Sequence, residues 1–115
     1  MPPFKLELEK LPNSTEALSI YKATGKLSLE TVNEFLPQLR AETVQRIILD
    51  MSGVSFLDSA GVGSLVSLFV SRRNHGKEFT LAALPPQAVA VVTVAGLQKL
   101  LPIFKTVEEA AATKT

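Results

Sequence analysis

The chain has 115 residues, 46% apolar and 20% charged, with twelve basic side chains against eleven acidic ones and a formal net charge of +1. That length holds one compact domain, the composition excludes a disordered chain, and the balanced charge gives no field to gather nucleic acid. The chain has no cysteine, which excludes disulfides, a thiolate nucleophile and a zinc–thiolate site and agrees with a cytoplasmic location.

Met1 to Lys10 lacks the basic-then-apolar order of a signal peptide. Phe4 to Glu9 alternates apolar and charged residues, predicting a half-exposed strand, and Pro12-Asn13-Ser14 predicts a turn. Leu18 to Ala23 alternates likewise and is expected to stop at Gly25. Ser28 can cap a helix from Leu29 to Arg40, with Glu30 in its first turn and Val32, Phe35, Leu36 and Leu39 on one face. Pro37 falls inside that pattern and is expected to kink or divide it. Arg46 to Met51 reads as a strand, and its continuous Ile47-Ile48-Leu49 predicts cover on both faces.

Ser52 to Asp58 reads as a connector into an amphipathic helix, Ser59 to Asn74, whose Val62, Leu65, Val66 and Phe69 recur at helical spacing and which Gly76 terminates. Arg72, Arg73 and Lys77 read as a solvated helix end rather than a phosphate-binding patch. Glu78 to Ala83 is a further strand. Pro85-Pro86 opens a helix through Val89, Val92 and Val94 that Gly96 closes. Leu84 to Gly96 is also the longest strongly apolar stretch; it holds two prolines and is too short to span a bilayer, so no membrane insertion is expected. Ile103-Phe104 is a short strand, and Thr106 with Glu109 forms a capping box for a last helix. Residues 110–115 are expected to fray. The order β-β-α-β-α-β-α-β-α predicts a single α/β domain over residues 1–115, with a mostly parallel sheet.

Chemistry concentrates where the buried strand meets the long helix, the rim at which partners of α/β sheets engage. Ser59 and Asp58 both stand where either can be the helix cap. Gly61 and Gly63 in the first turn each cost roughly 1 kcal/mol relative to alanine, and close approach of another backbone or group is the expected reason, which would also leave both positions open to a partner. A cap hydroxyl at a protruding turn is also open to a kinase, and a phosphate there adds about −1.5 to −2 charges at the positive end of the helix dipole. Such a charge leaves the fold intact and falls on whatever partner covers the spot.

Ile48-Leu49-Asp50, followed by Leu57-Asp58-Ser59-Ala60-Gly61-Val62-Gly63-Ser64-Leu65, resembles the signature of the STAS family, named for sulfate transporters and anti-sigma-factor antagonists. The resemblance extends to Gly25-Lys26-Leu27-Ser28, Gly96-Leu97, Ile103-Phe104 and Glu108-Glu109-Ala110. It implies a mixed, mostly parallel sheet of about five strands flanked by about four helices, in agreement with the periodicity. In the anti-sigma-antagonist branch it implies that Ser59 is phosphorylated by an anti-sigma factor that is a serine kinase. The unphosphorylated form binds that kinase and frees a sigma factor, and a phosphatase resets the cycle. The partner surface so implied comprises Lys26, Asp58, Ser59, Ala60, Gly61 and Gly63. Lys26 departs from the acidic or small polar residue often found at its place. No cofactor, metal or catalytic residue is implied.

The rival readings are weaker. Ser59 or Ser64, His75, and Asp50 or Asp58 supply the residue types of a hydrolase triad, but Gly-x-Ser-x-Gly is absent. Gly61-Val62-Gly63-Ser64 offers N–H donors to a phosphate but lacks the Gly-Lys ending of a nucleotide loop. The alternative function within the family is a non-catalytic scaffold subunit of a stress-sensing or lipid-transport complex.

Overall fold

A computed structural model describes residues 6–113. It contains β1 (Glu7–Lys10), β2 (Leu18–Leu27), α1 (Val32–Arg40), β3 (Arg46–Leu57), α2 (Ser59–Asn74), β4 (Glu78–Ala82), α3 (Pro86–Ala95), a 3-10 turn (Leu97–Lys99), β5 (Ile103–Phe104) and α4 (Val107–Ala112). The five strands lie side by side in chain order. Only β1 against β2 is antiparallel; every later pair is parallel. The expected α/β class and element order are those observed. Phe4 and Lys5 of the anticipated first strand fall outside the described residues.

Alternation along the strands sorts the core into two layers. Tyr21, Ala23, Ile47, Leu49, Met51, Phe79 and Leu81 point to one face and pack with Phe35, Leu39, Leu65, Leu68 and Val92 of α1, α2 and α3. Ile20, Ile48 and Ala82 point to the other face, under Ala110 of α4. Ile47-Ile48-Leu49 is therefore fully buried because its strand is covered on both sides.

The segment expected to connect β3 to α2 is instead strand. β3 runs to Leu57 and pairs with a β2 that continues past Gly25 to Leu27. Two register shifts, between Lys22 and Thr24 and between Gly25 and Lys26, break the alternation that would have marked it. Gly53 fits the first of these, since a Cβ there would lie 2.7 Å from Thr24 Oγ1 and 2.9 Å from the Ala23 carbonyl oxygen. β4 leaves the sheet early, its last pair with β3 being Asp50 with Ala82. The rest of β3 projects with β2 alone.

α1 starts at Val32 rather than Leu29, and Ser28 is not its cap. Ser28 to Thr31 instead forms a tight turn: Thr31 Oγ1 accepts the Ser28 N–H (3.1 Å) and donates to the Lys26 carbonyl (2.7 Å). Pro37 neither divides nor ends the helix, which continues to Arg40. The carbonyl it deprives of a partner is that of Asn33, an exposed residue that water can serve.

Arg72 overturns the reading of a solvated helix end. It is only 5% exposed. Its Nε, Nη1 and Nη2 donate to the carbonyls of Glu78 (2.8 Å), Glu42 (3.1 Å) and Val44 (2.6 Å). Burial lowers the guanidinium's pKa, opposed by Glu42 and Glu78. At the other end of the chain, Thr106 Oγ1 caps α4 by accepting the Glu109 N–H, while Glu109 Oε1 accepts from Lys105 N–H. Ala110 is fully buried and α4 reaches Ala112.

Candidate functional site

The chain leaves β3 at Leu57, bends through one residue, and enters α2. That residue, Asp58, has an extended backbone and is the cap of the helix. Its Oδ1 accepts the Gly61 N–H at 2.8 Å, and its Oδ2 accepts the Leu29 N–H at 3.2 Å. One carboxylate thus holds the first turn of α2 and the turn before α1 together. Of the two residues that sequence allowed as cap, Asp58 takes the role. Ser59 becomes the first helical residue, exposed, and its hydroxyl makes no hydrogen bond among the described residues.

The two glycines of this turn separate. A Cβ on Gly61 would stand 2.2 Å from the Leu27 carbonyl oxygen and 2.8 Å from Leu57 Cδ1. Gly61 is buried, and what approaches it is the protein's own β2 backbone. The close approach expected at Gly61 is thus that of a backbone within the fold, and the fold alone accounts for its missing side chain. Gly63 is exposed, and a Cβ there would meet nothing within 4 Å. Ala60, just before them, is partly exposed.

Beside Ser59 an open apolar groove of about 400 Å³ runs between α2 and α3, lined by Ser59, Val62, Ala90, Val91, Val94 and Ala95. α3 carries no charged residue, and its Val94 is 90% exposed. Leu29, joined to the site through Asp58, is 72% exposed. The arrangement presents an aliphatic surface with one hydroxyl at its rim.

Gln87, in the first turn of α3, was not singled out from sequence. Its Oε1 accepts the Leu57 N–H and its Nε2 donates to the Leu57 carbonyl, each at 3.0 Å. The amide serves β3 where β4 has already ended. No periodicity or motif marks such a residue, because it acts through a strand that sequence showed as a connector.

Lys26 stands at the same rim, one residue before Leu27. Its ammonium lies 3.8 Å from Glu30 Oε1 and 5.8 Å from the centre of the Phe56 ring. The triad residue types are not assembled. Ser59 and His75 sit at opposite ends of the sixteen-residue α2, about 24 Å apart along its axis. Ser64 Oγ is buried and donates to the Gly61 carbonyl at 2.6 Å. Among the described residues no helix is long and apolar enough to cross a membrane.

Comparison with known proteins places the fold. The STAS domain family model matches residues 7–110. An anti-sigma factor antagonist from Mycobacterium paratuberculosis superposes with a TM-score of 0.83 at 19% identity, covering 96% of this chain and 94% of its own. The anti-sigma factor antagonist SpoIIAA in its unphosphorylated form gives 0.72 at 23% identity, with 92% of each chain covered. The murine anion transporter Slc26a9 gives 0.73 at 22% identity, over 84% of this chain and 17% of the transporter. At these identities the likeness establishes the fold.

Proposed function

The chain belongs to the STAS domain family, and from that premise we propose that it is an anti-sigma-factor antagonist controlled by phosphorylation of Ser59. Unphosphorylated, it binds an anti-sigma factor that is a serine kinase, and so releases a sigma factor. A phosphatase restores the binding form. The chain itself performs no catalysis and acts in the cytoplasm.

The observation that carries this reading is the division of labour between Asp58 and Ser59. Asp58 satisfies the helix end, so the Ser59 hydroxyl stands exposed and uncommitted beside an uncharged groove. A phosphate there adds about −1.5 to −2 charges near the N-terminus of α2, which the helix dipole tolerates. The same charge must be stripped of water when an apolar partner closes over the groove, and that costs several kcal/mol unless the partner supplies a cation. Phosphorylation on this account changes binding and leaves the fold alone.

The test compares wild type, Ser59→Ala and Ser59→Asp by calorimetric titration against the serine-kinase anti-sigma factors of the source genome. Wild type and Ser59→Ala bind with similar affinity, while Ser59→Asp binds at least about tenfold more weakly, or 1.4 kcal/mol. Equal binding by all three removes Ser59 as the switch. The likeness to a domain within an anion transporter then favours a scaffold subunit held permanently in a larger assembly.

A further inference from the structure

The Leu57–Asp58 peptide unit, which delivers Ser59 to the surface, is held from two sides. Its carbonyl accepts from Gln87 Nε2 at 3.0 Å, and its N–H donates to the Leu27 carbonyl at 3.3 Å. The preceding peptide N–H, that of Leu57, donates to Gln87 Oε1 at 3.0 Å. β4 cannot serve these groups, because its pairing with β3 ends at Asp50. A single side-chain amide replaces the missing strand, one donor and one acceptor matched to one residue.

Gln87 has a fixed origin for this reach. Pro85 and Pro86 precede it, with Pro86 at the start of α3, so the backbone from which the amide extends has little freedom. The rest of α3 supplies Ala90, Val91, Val94 and Ala95 to the groove whose other wall carries Ser59 and Val62. Gln87 is the side chain that hydrogen-bonds that helix to the end of β3.

We propose that Gln87 is a positioning residue that couples the Ser59 turn to α3, holding the uncharged face of that helix in register with the switch hydroxyl. The inference rests on the reading of Ser59 as the switch and names the element through which a change at Ser59 reaches the groove. A partner that covers both Ser59 and α3 meets one preset surface. A charge placed at Ser59 pulls on α3 through the Leu57–Asp58 peptide as well as through space.

The experiment needs no partner. Amide spectra of the isotopically labelled chain are compared between Ser59 and Ser59→Asp, on the native background and with Gln87→Met or Gln87→Glu. Met keeps the side chain's length without hydrogen bonds; Glu keeps the acceptor and loses the donor. On the native background Ser59→Asp shifts the Gln87 side-chain NH₂ signals and the α3 amides from Ala88 to Val94. On both variant backgrounds the α3 response falls at least about twofold and the response of the first turn of α2 persists, while the Leu57 amide, which loses its acceptor only in Gln87→Met, exchanges about tenfold faster in that variant. An α3 response of the same size on native and variant backgrounds overturns the proposal. So does unfolding of both variants, which makes Gln87 part of the scaffold only. Failure of the switch reading shows separately, in equal binding by the three Ser59 forms.

Discussion

The two ends of α2 are built on opposite terms. At the C-terminal end Arg72 places its three kinds of guanidinium nitrogen on the carbonyls of Glu78, Glu42 and Val44. Beside it, the Tyr21 hydroxyl donates to Glu42, which also pairs with Lys10 at 3.5 Å. Those polar groups find their partners inside the protein. At the N-terminal end the backbone is equally well held, by Asp58, Leu27 and Gln87, yet the Ser59 hydroxyl is left over and the neighbouring surface is aliphatic. Substitutions should move stability where interactions are saturated and move binding where a group is spare. A helix anchored at one end can offer the other without risk to the fold.

The largest effect is expected at the anchored end. Arg72→Met removes the Arg72 donors from three partly buried carbonyls and should cost about 3 kcal/mol in urea unfolding. Arg72→Lys should recover less than half, because an ammonium cannot fork to three separated acceptors. A loss below about 1 kcal/mol would show that the carbonyls find water and that the contrast between the ends is false.

Gly61→Ala comes next, and it tests where the spare end stops. Alanine is the better helix former by roughly 1 kcal/mol, so propensity alone predicts a gain. The added methyl would instead lie 2.2 Å from the Leu27 carbonyl oxygen, and backbone must shift to admit it. A net loss of about 2 kcal/mol is expected in the same assay. A gain would mean that the turn before α1 yields freely.

The Tyr21–Glu42 bond adds a pH signature to the anchored end. Burial and the nearby Glu42 carboxylate push the Tyr21 hydroxyl up to about 12 from an ordinary 10.0. The folded state resists losing that proton, so this contribution is complete below pH 10 and is lost as pH rises toward 12. Glu42 is shifted the other way, below 4.5, chiefly by the Tyr21 hydrogen bond. Its contribution is present above pH 4.5 and lost as pH falls through the depressed value. Tyr21→Phe should therefore flatten both limbs of the stability profile relative to wild type, with a loss of about 1 kcal/mol at neutral pH.

Much of this contrast was legible in the sequence, and its gaps have physical causes. The alternation of β2, the continuous Ile47-Ile48-Leu49 and the Pro-Pro and Gly96 bounds of α3 each name their element. The Asp58-Ser59-Ala60-Gly61 run located the turn, though not which residue caps it, since both candidates suit the position. The projecting end of β3 was hidden by register shifts that spoil a period of two. Arg72 was misread because composition shows a charge and cannot show three carbonyls from two segments, the α1–β3 connection and the start of β4, converging on it. Gln87 was invisible for the same reason: its role is defined by where β4 ends.

Gly63→Ala should give the smallest change in stability, and its sign is what matters. Gly61 and Gly63 share a helical turn and, in sequence, a single rationale. A Cβ at Gly63 meets no atom within 4 Å, so alanine should stabilise the chain by about 0.5 to 1 kcal/mol through helix propensity alone. A residue that weakens its own helix and that no contact within the fold explains leaves room for something from outside. The methyl should accordingly weaken binding of the anti-sigma factor by about tenfold, while thermal unfolding moves upward. Stability that rises with binding untouched would take Gly63 out of the partner surface and shrink the spare end of α2 to Ser59 and the groove beside it.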